Sequence, residues 1–228
     1  MAAEQATAKA EPSSIKLAFT LGFAGLLSGL ALVAVYEATL PTIEANKAEA
    51  LRVAVFKVVK NSSAMQKLVV SGGKLAIAAE GDKQPGIFAA YGKDGRFVGY
   101  AIPGKGNGFQ DTISLLYGFD PAKKKVVGME ILESRETPGL GDKIFKDKAF
   151  VGNFSALDVD PQIVVVKSGR KKPNEVDAIT GATISSKAVV KIINEANKSW
   201  RQKLAAPGSE PALKAQPKKG AAAQGKGH

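Results

Sequence analysis

The 228-residue chain has no cysteine, and its one histidine is the terminal residue, His228. It also lacks zinc-ligand spacing, aromatic residues interleaved with basic ones, and a recognition-helix pattern. Nucleic acid is therefore not an expected partner, despite a net charge of +11. No glycine fingerprint joins a strand to a helix, which argues against a Rossmann nucleotide-binding fold. The glycine-rich run Gly104–Gly108 lacks the Gly-Lys-Ser/Thr ending of a P-loop and predicts a flexible loop between strands.

Charged residues are absent between Leu17 and Tyr36, a run bounded by Lys16 and Glu37. At ~1.5 Å of rise per residue, a helix of this length spans about 30 Å, the thickness of the hydrocarbon core of a bilayer. A cleaved signal peptide is the alternative, but the run is long for one and no clean Ala-x-Ala site follows it. We therefore predict an N-terminal segment over residues 1–16 and a single retained transmembrane helix over residues 17–36.

The pattern after the anchor predicts a helix and then two hairpins. A helical period begins near Pro41, so we predict a linker helix over residues 37–64. Two turn signals, Lys93-Asp94-Gly95 and Asp120-Pro121, each separate two runs rich in apolar residues. The strands predicted around them are Ile87–Tyr91, Phe97–Ile102, Ile113–Phe119 and Val126–Leu132.

The remaining segments complete the domain. The pattern predicts a short helix over Asp142–Phe150, a strand over Ile163–Val166 and an amphipathic helix over Ser185–Leu204. This order favours an α+β fold over residues 65–204, with an antiparallel sheet and flanking helices. Residues 205–228 are rich in Ala, Gly, Pro and Lys without an apolar period, so we predict that they are disordered.

Two motifs stand out against this background. Asp177 precedes Thr180–Ser186, which reads Thr-Gly-Ala-Thr-Ile-Ser-Ser before the last helical pattern. Thr183 or Ser185 is a predicted N-cap, and the free N–H groups of a first helical turn suit a phosphate. Gly181 would let the backbone approach such a phosphate closely. On the residues alone, a simple capping motif remains the alternative.

The other motif is Glu136–Asp142, which reads Glu-Thr-Pro-Gly-Leu-Gly-Asp and by itself predicts a tight loop. Together the two motifs resemble the two signatures of an FMN-binding family, in the same order along the chain. One is Glu-Thr-Pro-Gly-Leu-Gly, and the other is Asp-x-x-Ser/Thr-Gly-Ala-Thr-x-Ser/Thr. With the anchor included, the chain resembles the G subunits of Rnf-type ion-translocating electron transport complexes. These are relatives of the C subunits of sodium-pumping NADH:quinone reductases.

The resemblance implies FMN attached covalently to Thr183 through a phosphoester. It implies that Thr180, Gly181, Ala182 and Ser185 surround the phosphate, and that Glu136, Thr137, Leu140 and Gly141 lie near the isoalloxazine. Asp177 belongs to the cofactor motif, but its charge would repel a bare phosphate. We expect Asp177 to support the turn or to assist attachment. Ser134 departs from the family pattern, because relatives often have histidine two residues before the glutamate.

A threonine hydroxyl is a poor nucleophile without an adjacent base, and no histidine or cysteine lies near Thr183 in sequence. A separate flavin transferase is therefore an expected partner. The resemblance also implies other membrane subunits as partners, especially a neighbouring covalent-flavin subunit, together with membrane lipid. Basic residues flank the anchor evenly, so the charges do not set its orientation. The resemblance places the flavin domain on the periplasmic side of the bacterial inner membrane.

The function implied is that of an electron carrier, one subunit of a translocase rather than a complete enzyme. It would relay single electrons within a complex that couples ferredoxin/NAD electron transfer to Na⁺ or H⁺ movement. The alternatives are a non-redox scaffold or assembly subunit and a stand-alone membrane-anchored flavin reductase.

Overall fold

The computed structural model describes residues 13–79 and 81–214. The chain forms two compact units, which meet in sequence between Glu49 and Ala50. Helix α1, Ser14–Val58, is continuous and is long and apolar enough to cross a membrane, with none of its apolar window buried. This helix agrees with the anchor predicted over residues 17–36. Most of the predicted N-terminal segment, residues 1–16, lies outside the described residues.

Residues 41–58 are helical, as the pattern predicts, but they continue the anchor helix. The predicted separate start near Pro41 was wrong, because Pro41 lies inside α1. Proline has a helical φ angle but no N–H donor, so the carbonyl oxygen of Glu37 loses its helical partner. Glu37 is exposed, and water can bond to that oxygen instead. The helix then ends at Val58, and residues up to Ser63 connect it to the first strand.

The second unit is built on one antiparallel sheet of seven strands, in the order β2-β1-β3-β4-β5-β6-β7. Both predicted hairpins are present, as β3 with β4 and β5 with β6. A further hairpin, β1 with β2 around Gly72-Gly73, was not predicted. The strands are β1 Ala64–Ser71, β2 Lys74–Ile77, β3 Gly86–Tyr91, β4 Phe97–Asn107, β5 Thr112–Asp120, β6 Lys125–Glu133 and β7 Leu157–Asp158.

Short helices and a small second sheet follow. The single helix predicted over Asp142–Phe150 is two helices, α2 Lys143–Lys146 and α3 Lys148–Gly152. Asp147 separates them, since its side chain accepts hydrogen bonds from the first-turn N–H groups of α3. The last elements are the parallel strands β8 Val164–Val166 and β9 Glu175–Asp177, and helix α4 Thr183–Arg201.

The large sheet is the middle of three layers. One face, carrying Ile102, Leu115 and Tyr117, packs beneath α4, whose Val189 and Ile193 are buried. The opposite face is covered by the last turns of α1, through residues that include Ala54, Val55 and Val58. Alternate residues of β3 face the two layers, as expected for a pleated strand buried on both sides. The α+β class and its antiparallel sheet are confirmed.

Residues 211–214 lie against the sheet, although the composition of residues 205–228 predicts disorder. Tyr91 Oη donates a hydrogen bond to the carbonyl oxygen of Pro211 at 2.5 Å. The amide of Gln66 donates to Ala212 O at 3.1 Å and accepts from Lys214 N at 3.1 Å. Two polar side chains of β1 and β3 thus hold a segment that has no apolar period of its own. The rest of the predicted tail lies outside the described residues.

The run Gly104–Gly108 is not the predicted flexible loop, because β4 continues through Asn107. Two of its glycines, Gly104 and Gly106, are packing positions against α4. A Cβ atom on Gly104 or on Gly106 would lie 2.7 Å from a side-chain carbon of Ile192. The missing side chains let α4 cross the strand closely, which fixes the height of the helix above the sheet.

Two further glycines admit the end of α1 to the other face. Gly118 and Gly128 are paired across β5 and β6. A Cβ atom on Gly128 would lie 2.6 Å from the carbonyl oxygen of Val58 and 2.9 Å from its Cα atom. A Cβ atom on Gly118 would clash with the same carbonyl oxygen. The two glycines form a notch that accommodates the backbone of Val58. Backbone atoms cannot move aside as a flexible side chain can, so a Cβ atom at either glycine would clash.

We expect Gly128→Ala to lower the free energy of unfolding by about 1–3 kcal/mol, the usual cost of overpacking. Thermal and denaturant unfolding of the detergent-solubilised chain measures this. Gly152→Ala is the control, because a Cβ atom on Gly152 meets nothing within 4 Å. Equal stability of the two variants would contradict the packing role of the notch.

Candidate functional site

The two sequence motifs, far apart in the chain, line one surface cavity of about 360 Å³. The loop after β6 forms one side, and the first turn of α4 with the preceding turn forms the other. Phe109, at the β4–β5 connection, completes the lining. The lining residues are Phe109, Thr137, Leu140, Gly141, Gly181, Ala182, Thr183, Ile184 and Ser185.

Thr183 is the first residue of α4 and is exposed. The predicted N-cap role of Thr183 or Ser185 was wrong, since the N-cap is Ala182 and no side chain caps the helix. The first-turn N–H groups are therefore left without a side-chain acceptor at this end of the helix. Gly181, at φ +82°, turns the chain into the helix through a conformation that favours glycine.

Ser185 does not cap the helix because its hydroxyl donates a hydrogen bond to Oε2 of Glu136 instead. The other oxygen, Oε1, accepts from Gln110 N at 2.9 Å and from Asp111 N at 3.4 Å. Both oxygens of this buried carboxylate are thus engaged. Glu136 ties the loop after β6 to the β4–β5 connection and to α4 at once.

The ionisation of Glu136 follows from these contacts. Burial alone would raise its pKa. The hydrogen bonds from Ser185 and from the N–H groups of Gln110, Asp111 and Phe109 outweigh burial and hold the pKa below its usual value of 4.5. Glu136 is therefore a carboxylate at neutral pH, with its oxygens committed to structure rather than to proton donation.

Close approach at this carboxylate requires a glycine on each side. A Cβ atom on Gly141 would lie 2.7 Å from both Cβ and Oε2 of Glu136, and 3.1 Å from Ser185 Oγ. A Cβ atom on Gly108 would meet Oε1 of Glu136. Thr137 adds a further tie, because its hydroxyl donates to Gln110 Oε1 at 2.7 Å.

The cavity is bordered by apolar side chains that are largely exposed. Phe109 is 63% exposed, Ile184 56% and Leu140 50%. Large apolar side chains in the domain are mostly buried, so three such residues around one cavity mark a surface that a ligand or partner covers. Sequence reasoning missed Phe109 and Ile184. The one available signal for Phe109 was its place directly after the glycine-rich run.

Seven of the ten residues expected at the cofactor line this cavity, and Glu136 lies directly behind it. Thr180 and Asp177 do not line it. They border a second cavity, of about 380 Å³, with Lys143, Asp147 and Asn153. Asp177 Oδ1 accepts a hydrogen bond from Arg170 N at 2.9 Å, so its carboxylate supports a neighbouring loop.

Comparison with known proteins defines the class of domain. Residues 108–198 match the FMN-binding domain family. The fold resembles the crystal structure of NqrC from Shewanella oneidensis, with a TM-score of 0.54 and 18% identity over 66% of this chain and 91% of that one. It also resembles the C subunit of the Na(+)-translocating NADH-quinone reductase from Parabacteroides distasonis. That match has a TM-score of 0.55 and 20% identity over 69% and 93% of the two chains.

Sequence relatives identify the family. The G subunit of the proton-translocating ferredoxin:NAD(+) oxidoreductase complex of Clostridium ljungdahlii is 31% identical over 170 residues, which cover 75% of this chain and 82% of the relative. The G subunit of the ion-translocating oxidoreductase complex of Haemophilus influenzae is 30% identical over 174 residues, with the same coverage of 75% and 82%. The chain belongs to this family of G subunits, electron-transfer flavoproteins that form part of an oxidoreductase and do not act alone.

Ser185→Ala should destabilise the protein, because it removes the hydroxyl donor from buried Glu136. We expect a loss of about 1–3 kcal/mol at neutral pH, typical of a buried group left short of a partner. Denaturant unfolding at pH 7 measures this, with the exposed Ser199→Ala on the same helix as control.

The difference from the wild-type protein should also depend on pH. A lowered pKa stabilises the fold above the unfolded value, near 4.5 for Glu136, and this stabilisation is lost as the pH falls through the folded pKa. The effect of Ser185→Ala should therefore shrink in acid. A destabilisation that is constant with pH would contradict the ionised Glu136–Ser185 contact.

Proposed function

We propose that this chain is a membrane-anchored electron-transfer subunit that carries FMN as a phosphoester on Thr183. The observation that supports this best is the exposed Thr183 hydroxyl at an uncapped helix end, inside a cavity with an exposed apolar border. A phosphate bound there lies at the N–H groups and positive dipole end of a 19-residue helix. The apolar border suits a flat aromatic ring system. The residues present therefore fit FMN.

The residues that line the cavity would then contribute to cofactor binding in different ways. Gly181 leaves the phosphate end open, because a Cβ atom there would meet only Leu140 Cδ2, at 3.8 Å. Phe109, Leu140 and Ile184 shield the ring from water. When bound, FMN supplies the capacity to accept and release single electrons. Glu136 keeps the loop and helix together and, as a carboxylate, supplies no proton.

Attachment requires an activated flavin phosphate, because joining a free phosphate to a hydroxyl would have to expel water. In the proposed step, Thr183 Oγ1 forms a bond to the phosphorus beside the ribityl chain of a flavin dinucleotide. The phosphoanhydride P–O bond breaks, a nucleoside monophosphate leaves, and the hydroxyl proton passes to a base. The cavity lining offers no histidine or lysine as that base, so a flavin transferase would provide it.

The names of the relatives support a proposal for the partners and the location. The relatives are subunits named for proton- or Na(+)-translocating ferredoxin:NAD(+) oxidoreductase complexes. We propose that this chain serves in such a complex of the bacterial inner membrane. There it would exchange electrons with a neighbouring flavin-carrying membrane subunit. In this arrangement α1 anchors the chain in lipid and the flavin domain lies on the periplasmic side.

The attachment site can be tested by denaturing electrophoresis after co-expression with a flavin transferase. We expect a fluorescent band for the wild-type chain and none for Thr183→Ala, whereas Ser199→Ala on the same helix keeps it. Mass spectrometry of the peptide containing Thr183 should show the added mass of FMN less one water. A dark wild-type band, or a bright Thr183→Ala band, would contradict the proposal.

The role of the apolar border can be tested on the loaded protein. Phe109→Ala should leave the amount of attached flavin unchanged but make its fluorescence several-fold more sensitive to quenching by iodide, because one side of the ring becomes open to water. Phe145→Ala is the matched control, since Phe145 is 45% exposed but does not line the cavity. Equal quenching in both variants would remove Phe109 from the flavin site.

A further inference from the structure

A strongly basic loop joins β8 to β9. Lys167, Arg170, Lys171 and Lys172 lie within six residues that include no acid, and all four are exposed. Within the described part of the chain, no ion pair joins any of these side chains to a carboxylate. The loop therefore presents four cations to solvent on one short segment. We call residues 167–172 the basic loop.

The nearby carboxylates are occupied by backbone rather than by these cations. Glu175 Oε2 accepts hydrogen bonds from Lys171 N at 2.6 Å and Lys172 N at 3.0 Å, and these bonds lower its pKa. Asp177 Oδ1 holds Arg170 N at 2.9 Å. Three N–H donors thus pin the basic loop to β9. Lys171 and Lys172 also attract Glu175 electrostatically, but among the described residues neither forms an ion pair with it. The backbone of the loop is already ordered, which lowers the entropic cost of binding a partner.

The basic loop lies beside the second cavity. Arg170 Nη1 donates to the carbonyl oxygen of Asn153 at 3.4 Å, and Asn153 and Asp177 both line that cavity. The lining carries one cation, Lys143, and the carboxylates of Asp147 and Asp177, so the excess of positive charge on this surface comes from the basic loop. Thr180 brings the cavity to within three residues of Thr183. We call the cavity lined by Thr183 the flavin cavity. The second cavity shares no lining residue with it. Flavin bound in the flavin cavity would leave the second cavity and the basic loop open.

We propose that the basic loop and the second cavity form the docking surface for the protein that transfers FMN to Thr183, and that this protein presents an acidic face. The inference rests on the proposed attachment at Thr183. An enzyme that delivers flavin into the flavin cavity needs a binding surface that the flavin does not cover. The second cavity provides one on the other side of the same turn, and four cations beside it select a partner of opposite charge.

Charge complementarity of this kind acts mainly on the rate of association. Exposed charges steer an encounter over roughly a Debye length, about 8 Å at physiological ionic strength and about 30 Å at 0.01 M salt. Reversing charges at the border of an interface therefore changes the association rate and its dependence on salt. The effect on attachment should be large at low salt and small at high salt.

The test compares two double charge reversals in the full-length chain, purified without flavin. Lys171→Glu with Lys172→Glu changes the basic loop. Lys74→Glu with Lys93→Glu is the control, because it makes the same change in net charge at exposed positions elsewhere on the domain. Each chain is mixed with purified transferase and flavin dinucleotide at limiting concentration, and the initial rate of fluorescent-band formation is measured at low and high salt.

We expect the loop variant to be labelled about tenfold more slowly at low salt and the control to stay within about twofold of the wild type, with the difference shrinking at high salt. Loop and control variants labelled at the same rate would overturn the docking surface while leaving attachment at Thr183 intact. Absence of labelling in the wild type would instead overturn the proposed function, and this inference with it.

A second measurement separates docking from folding and from electron transfer. Titration of each flavin-free chain with the transferase should show weaker binding only for the loop variant, whose thermal unfolding should match that of the control. A loop variant that binds transferase normally, but loses electron exchange with the assembled complex, would assign the basic loop to a neighbouring subunit and refute the proposal.

Discussion

The buried carboxylate of Glu136 is the contact on which the site depends. It receives hydrogen bonds from a serine of α4 on one oxygen and from two backbone N–H groups of the β4–β5 connection on the other. A buried, ionised carboxylate is stable only when it is well paired in this way. Any displacement of the loop or of α4 would leave a charge short of partners, so the two walls of the cavity are held in one relative position.

Glycine packing supports the same geometry from further along α4. Ile192 lies over Gly104 and Gly106 of β4, while the Ser185 contact holds the first turn. The helix is thereby fixed at two points that lie about two turns apart on its inner face. Both contacts fix the position of Thr183, which lies on the first turn of the helix. A precisely placed but exposed hydroxyl suits a residue that another protein has to reach, and a flexible one would not.

Much of this could be predicted from the sequence, since regular patterns specify elements and two motifs identify the family. Two of the three hairpins, the last helix and the apolar anchor could be predicted from the order of residues. What could not be predicted was long-range packing. The glycines of β4 suggested a loop because nothing local indicates that Ile192 will lie above them. Ser185 suggested a cap because its true partner, Glu136, is 49 residues away. Phe109 carried no motif at all.

The cavity that Thr183 lines has an exposed border, which gives a physical reason for the proposed covalent bond. The flavin cavity, at about 360 Å³, is near the small end of ligand pockets and has an exposed border. Noncovalent binding in such a site would bury only part of a flavin nucleotide and would hold it weakly. The proposed ester to Thr183 would remove the need for affinity, so that the ring edge could stay open to an electron partner. In the proposed arrangement an exposed site would still retain its cofactor, and the second cavity, bordered by Asp177 and Thr180, would stay accessible to the flavin transferase.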